Sequence, residues 1–381
     1  MPRLLRRASA AAALLLLPLS ACAQEPEAVA KDYLGMTWDQ IVAEAKAEGE
    51  VVFSAWWGEE YWKEAARLFE EKYGIEARHL MGNNPIDKIL AEKDRRVGTI
   101  DVQLVGGAAV KTSMDAALWY GPIAAKLPAS PELDRALQTA QEGVETKGHL
   151  IPIYRNQTGF LYDPEKVPVP PQTWDEFTAW VQANPKGFAY PDPNKGGTGG
   201  AFVQAVIANL TGGLDRYTAD TALDPAKTAE WTEAWDWLKT GNEKMNVTLS
   251  NSEDIDLLNQ GTASLVIAWD DDAQNALAKG SLFKRAAMYV PRFGLPGGGD
   301  TAGVPRNAPN KAAGLLFLDF LTSRQMQALM NRTVGSTPAR TDMTESPSII
   351  SEESRANGTA WMPAPYKEAI LKGFTENVLL Q

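Results

Sequence analysis

Cysteine and histidine are scarce in this chain of 381 residues: Cys22 is the one cysteine, and His79 and His149 are the two histidines. One cysteine permits no intrachain disulfide, and so few thiols and imidazoles leave almost nothing from which to build a His/Cys zinc site. The short signatures of common catalysts are missing too: there is no G-x-S-x-G elbow, no H-E-x-x-H and no G-x-x-x-x-G-K-[ST] loop. Asp192-Pro193-Asn194-Lys195-Gly196 begins like a calcium loop, but glycine holds its fifth position and the bidentate acid is absent, so it reads as a turn. No enzyme, cofactor or metal is expected. A hydrolase built on two carboxylates stays open as an alternative, because any two acids can meet in space. Basic charge is also short, with 37 Lys and Arg against 48 Asp and Glu and a net charge of -11. That balance argues against nucleic acid as a partner. No repeat or low-complexity tract is present. Hydrophobic residues make up 44% of the chain, enough for a sizeable core, and the length suits two domains or one large one.

What is present begins with an export signal. Arg3, Arg6 and Arg7 form a positive region, and Ala8–Leu17 is apolar but too short to span a bilayer. Leu19-Ser20-Ala21-Cys22 resembles the bacterial lipobox, in which the cysteine is lipidated and becomes the new N-terminus. The alternative is cleavage near Ala21 or Ala23 with Cys22 incidental. The expected layout is a lipoprotein signal over residues 1–22, a flexible tether over 23–36, and a folded body outside the cytoplasm. That body is held at the membrane by lipid alone, in the periplasm or on the cell surface.

The folded part opens with a capping box, Thr37-Trp38-Asp39-Gln40, and a helix whose stripe is Trp38, Ile41, Val42 and Ala45. Strands are expected at Val51–Ala55, Ile75–Leu80 and Ile100–Val105. Helices follow them at Glu59–Tyr73, at Pro85–Arg95 and after Gly106-Gly107. This alternation favours a mainly parallel sheet with helices on both faces, and ligands in such sheets sit beyond the strands' carboxyl ends. Three such ends are visible: Ala55–Gly58, Met81–Asn84 and Gly106-Gly107. Two apolar runs then flank Arg155-Asn156-Gln157-Thr158. A second α/β region follows, with a capping box at Thr173–Glu176, a Gly-rich turn at Gly196–Gly200 and a helix carrying Trp231, Trp235 and Leu238. Helical spacing marks those tryptophans as core. Leu265–Trp269 reads as a strand running into Asp270-Asp271-Asp272, with a helix from Ala273. Asp271 or Asp272 is the expected N-cap. One long helix is expected over Lys311–Arg332 and another over Tyr366–Glu376.

Taken together, the order of these parts resembles the extracellular solute-binding proteins of ABC importers. The late motifs carry the resemblance: Gly303-Val304-Pro305-Arg306-Asn307-Ala308-Pro309-Asn310, then Phe317-Leu318-Asp319-Phe320-Leu321-Thr322-Ser323 with Gln325, then Gly335-Ser336-Thr337-Pro338. Arg155–Phe160 looks most like the YnjB-type subgroup. The resemblance implies a two-lobe, type II periplasmic-binding-protein fold. Each lobe is a mixed, mainly parallel sheet flanked by helices, with the ligand cleft between them. The lobes fall at 37–155 plus 300–333 and at 156–299 plus 334–381. Chain crossings are implied near Tyr154–Thr158, Phe293–Thr301 and Thr333–Pro338. The implied function is capture of a small solute by a monomer and its delivery to ABC permease subunits. A sensory or adhesin-type lipoprotein on the same fold is the alternative.

The candidate ligand contacts are Trp56, Trp57 and Gly58 after the first strand, Asn83 and Asn84 after the second, and Arg155, Asn156 and Gln157 at the first crossing. Trp269, Asp270 and Asp271 complete the set at the end of the later strand. One of Trp56 and Trp57 is expected in the cleft and the other in the core. Aromatics with carboxylates suit an organic cation, and aromatics with amides suit a carbohydrate; the cation is preferred.

Overall fold

The computed structural model describes residues 31–82, 86–344 and 346–380. The lipobox cysteine, Cys22, and the amides Asn83 and Asn84 lie outside those residues. The chain divides into Met1–Asp32 and Tyr33–Gln381, and the fold below is that of the second unit.

Its strands, in chain order, begin with β1 (Glu50–Ala55), β2 (Glu76–Met81), β3 (Val102–Val105), β4 (Ala140–Gln141) and β5 (Val144–Glu145). Next come β6 (Ile151–Pro152), β7 (Tyr154–Tyr162), β8 (Phe188–Pro191), β9 (Met245–Thr248) and β10 (Leu265–Trp269). The last are β11 (Ala287–Tyr289), β12 (Gly297–Gly298), β13 (Thr301–Gly303) and β14 (Thr337–Pro338). They form two main sheets, one per lobe. The first has the order β2-β1-β3-β13-β6, and the second β11-β7-β10-β8-β9. In the first sheet β1 runs parallel to β2 and β3, while β13 lies antiparallel to β3 and β6. In the second, β8 runs parallel to β9 and β10, and β7 is antiparallel to β10 and β11.

The first lobe closes because its helices present apolar stripes to β1. Thr37 and Gln40 form the reciprocal capping box read from the sequence, so the helix Trp38–Glu48 starts where the stripe begins. Ile41, Ala45, Trp62, Ala65 and Phe69 are buried against Val51, Phe53 and Ala55. Phe53 sits 4.7 Å from Phe317 between ring centroids. The second lobe is an aromatic core around Phe160, Phe177, Phe188 and Phe202. Trp231 and Trp235 are buried there, as their helical spacing indicates.

Several elements differ from the sequence expectation. The helix expected over Pro85–Arg95 is the short Asp87–Ala91, and that expected over Tyr366–Glu376 runs over Ala364–Phe374. The stretch Lys311–Arg332 is two helices, Lys311–Leu321 and Arg324–Val334, because Ser323 takes an extended conformation and its hydroxyl caps the Met326 N–H. Strand β3 starts two residues late: Asp101 lies before it and accepts from the Val52 and Asn310 amides. The helix after β10 runs over Asp270–Lys279, so it begins at the first aspartate and not at Ala273. All three acids lie in its first turn, where the helix dipole favours negative charge.

The chain passes between the sheets three times, and the three passages pair with one another. β7 carries β14 opposite Tyr154 and Arg155, and β12 opposite Asn156 and Gln157. This short antiparallel ribbon connects the two cores.

One buried acid tests the second lobe's packing. Asp254, in the helix Asn251–Asn259, accepts from the Thr248 hydroxyl at 2.6 Å through Oδ1, and Oδ2 has no partner. Burial raises its pKa from 3.8 to about 8. The folded protein therefore keeps a proton that the unfolded chain releases above pH ~4, and stability is lost as pH rises from there towards 8. Asp254→Asn cannot ionise. Calorimetric melting of the two proteins should coincide near pH 4, and the variant should melt at least about 2 °C higher at pH 8. A difference that does not change with pH would refute this account.

Candidate functional site

A cleft of about 750 Å³ opens between the two lobes. Its walls are the carboxyl ends of strands: Trp56, Trp57 and Gly58 after β1, Gly106 and Gly107 after β3, and Trp269, Asp271 and Asp272 at the end of β10. Parallel strands put their carboxyl ends on one edge, which is why residues far apart in sequence meet here. Tyr154, Asn156 and Asp300, from the crossing segments, form the floor.

Trp57 and Asp300 are joined directly. The Trp57 indole N–H donates to Asp300 Oδ2 at 2.7 Å, and the Tyr154 hydroxyl donates to the same oxygen at 3.1 Å. The Trp57 and Tyr154 rings meet edge to face at 5.3 Å. Gly106 must be glycine here, because a Cβ would lie 2.0 Å from Asp300 Oδ1. Both Trp56 and Trp57 line the cleft and both are half-buried. The expected division, one indole in the cleft and one in the core, therefore does not hold. The fully buried neighbour is Trp62, which packs 5.5 Å from Trp57.

The three consecutive aspartates have separate environments. Asp270 is buried and turned away from the cleft. Its Oδ1 accepts from the Gln157 amide at 2.7 Å and the Asp271 amide at 3.0 Å. Its Oδ2 takes the Arg355 guanidinium at 2.7 Å and the Thr337 hydroxyl at 3.4 Å. Asp270 thus satisfies the helix start from within the first turn. The residue in the N-cap position is Trp269, which makes no side-chain cap. Asp271 and Asp272, one of which was expected as the N-cap, both line the cleft, and Asp271 Oδ1 accepts the Asp272 amide at 3.1 Å. Burial holds the Asp271 carboxyl well above its ordinary range, and the charges of Asp272 and Asp270 push the same way. Asp272 reaches solvent, but the cleft walls around it and the charge of Asp270 raise it to about 6. Asp300 also rises to about 6, mainly through burial, against the lowering effect of the Trp57 bond.

Arg155 and Gln157 do not line the cleft. The Arg155 Nε–H donates to the Pro338 carbonyl at 2.7 Å, across the β7–β14 pairing. The Gln157 amide donates to the carbonyls of Thr158 and Leu295 at 3.0 and 2.9 Å. Both side chains join crossing segments. Asn156, between them on the pleat, does face the cleft, and its Oδ1 is buried with no donor.

The sequence reading missed Tyr154, Glu142 and Asp300. Asp300 had a signal in the run Gly297-Gly298-Gly299-Asp300, where glycines let a carboxylate approach a backbone closely. Glu142 had none: it reaches the site from the β4–β5 hairpin, where its Oε1 accepts the Gly107 amide at 2.8 Å.

The charge balance is one-sided. Glu59, Glu60, Glu142, Asp271, Asp272 and Asp300 line the cleft, and among the described residues Lys279 is the one cationic side chain that does. No three His, Cys, Asp or Glu side chains among the described residues are grouped to hold a metal ion. No helix among them is long and apolar enough to cross a membrane.

Comparison with known proteins agrees with this architecture. Protein YnjB of Escherichia coli strain K12 is 27% identical over 308 residues, covering 76% of this chain and 78% of that protein. The spermidine/putrescine ABC transporter substrate-binding protein PotD of Streptococcus pneumoniae has a similar fold, with a TM-score of 0.65 and 14% identity, covering 86% of this chain and 99% of that one. The periplasmic binding protein AfuA of Actinobacillus pleuropneumoniae, with fructose-6-phosphate bound, has a TM-score of 0.63 and 16% identity, covering 87% and 99%. At such identities the likeness concerns the fold, and relatives of one fold hold unlike solutes. The model of the bacterial extracellular solute-binding proteins matches residues 64–357, and this chain belongs to that family.

Proposed function

We propose that the protein is a lipid-anchored receptor that captures a small organic cation in the interlobe cleft and delivers it to the permease of an ABC importer. The anchor is Cys22, and the lobes are 37–155 with 300–333 and 156–299 with 334–381. Support for that division comes from β13 lying in the first sheet and from Trp361 and Tyr366 packing in the second core. The observation that carries the ligand class is the lining: six carboxyl side chains against one ammonium, within aromatic walls. An organic cation gains from both, by ion pairing with the acids and by cation–π contact with the indoles. In this reading Trp56, Trp57, Trp269, Asn156, Asp271, Asp272 and Asp300 contact the solute, while Asp270, Arg155 and Gln157 hold the crossing that carries them.

The raised carboxyl pKa values favour the same ligand class. Burial, with mutual repulsion added, holds protons on these acids to higher pH, and a bound cation favours their release.

Two measurements test this. In a thermal-shift screen, diamines and quaternary ammonium compounds should raise the melting temperature and neutral sugars should not. Asp271→Asn combined with Asp272→Asn should then weaken the best ammonium ligand at least about tenfold by calorimetry. A sugar that stabilises while every ammonium compound fails would sink the reading. The second measurement is pH dependence. Asp272 and Asp300 titrate near pH 6 in the free protein, and a bound cation favours their ionised forms. Binding should therefore release protons, and affinity should fall as pH drops from 7.5 to 5. The released protons are read by calorimetry in buffers of different ionisation enthalpy. Without ligand the sign for stability is opposite: these two groups cost stability as pH rises from about 4 to about 6.

A further inference from the structure

The acidic cleft does not end at Trp269. A side bay of about 350 Å³ continues from it, sharing Gly107, Glu142, Gly197 and Trp269 as common wall. The chemistry changes at that wall. Beyond it the bay is lined by Ala108, Val144, Pro193, Trp361, Ile370 and Leu371. Two of its charged groups already have opposite charges beside them: Lys367 pairs with Glu142 at 2.6 Å and lies 4.0 Å above the Trp361 ring, and Lys111 pairs with Asp115. Glu368, the remaining acid of the lining, is exposed to solvent. Apolar surface in a concave site is an invitation to an apolar group.

Of two adjacent glycines, one lines this space without any need of close packing. In the helix Gly197–Leu210, Gly199 has to be glycine because a Cβ would meet the Pro191 carbonyl oxygen at 1.9 Å. Gly200 has no such reason: a Cβ there finds nothing nearer than Trp361 Cζ3 at 4.0 Å. Glycine is the poorest helix former after proline, and here its missing side chain leaves the bay open.

The junction between cleft and bay also holds unmet polar atoms. The Trp361 indole N–H is buried without an acceptor, and Asn156 Oδ1 is buried without a donor. Both lie within 3.7 Å of the point that a Cβ on Gly298 would take.

We propose that the bay is a second subsite of the same ligand site, and that the solute is an amphipathic organic cation: a cationic head on the acidic floor and an aromatic or branched apolar arm between Trp361 and Leu371. This rests on the cationic reading above. The volume is ample, since a cavity of about 150 Å³ already takes benzene.

The test compares ligands that differ only in the arm. Tetramethylammonium is set against benzyltrimethylammonium, and ethylammonium against 2-phenylethylammonium, by calorimetry on the full chain. The aromatic member of each pair should bind at least tenfold more tightly. Gly200→Leu, outside the acidic floor and favourable for its helix, should remove that advantage and leave the small ammonium ions unchanged. Gly200→Ala should remove part of it, which keeps the test readable if the leucine variant folds poorly. Equal affinities within each pair, or an advantage that survives Gly200→Leu, would overturn the second subsite and leave the cationic floor standing. Failure of all four compounds, with a neutral solute binding instead, would overturn both.

Discussion

The Asp270 carboxylate is the contact on which the rest of the cleft depends. Both of its oxygens are committed, one to the amides of Gln157 and Asp271, the other to Arg355 and Thr337. These partners come from β7, from the first turn of the following helix, from β14 and from the chain after it. A buried carboxylate is costly unless it is paired and hydrogen-bonded, and this one has both a guanidinium and several donors. Removing its charge would leave Arg355 facing a weaker partner in a buried place. The carboxylate also fixes the helix start one turn early. That early start puts Asp271 and Asp272 in the cleft wall, so the geometry of the acidic site follows from the neighbour that takes no part in lining it.

The acidic floor is sustained by the same logic in reverse. Burial raises the pKa values of these acids, and the like charges around them add to the effect. Asp271, Asp272 and Asp300 carry that burden with no ion pair among the described residues, and Lys279 is the one cationic side chain among them that lines the same cleft. The protein does supply guanidinium and ammonium groups nearby, but Arg355 is paired with Asp270 and Lys367 with Glu142.

Much of the fold was legible in the sequence because its signals are local. The Thr37–Gln40 box, the stripe from Trp38 to Ala45 and the spacing of Trp231 and Trp235 each depend on residues within a few turns of one another. The break at Ser323 was hidden because the apolar periodicity continues through it, and only the extended conformation of one residue divides the helix. Part of the cleft was legible for the same reason: Trp56, Trp57, Gly58, Asn156, Trp269 and Asp271 follow or lie on strands that can be recognised by eye. The roles within Asp270-Asp271-Asp272 were not. Which acid turns inward is decided by Arg355, 85 positions away from Asp270, and no spacing rule reaches that far. Glu142 was invisible because it sits in the turn between two two-residue strands, a hairpin with no periodicity.

Several groups that meet in the cleft belong to the crossing segments themselves. Tyr154 and Asn156 lie on β7, and Asp300 lies between β12 and β13. A load applied there acts at the pivot and not at the rim of either lobe. The lever arm is nearly zero, so a solute seated on these residues can set the relative twist of the lobes with displacements much smaller than those at the outer edges. In the proposed role those outer edges face the permease. The floor of the site is thus also its gearing, turning a short movement at the solute into a long one at the periphery.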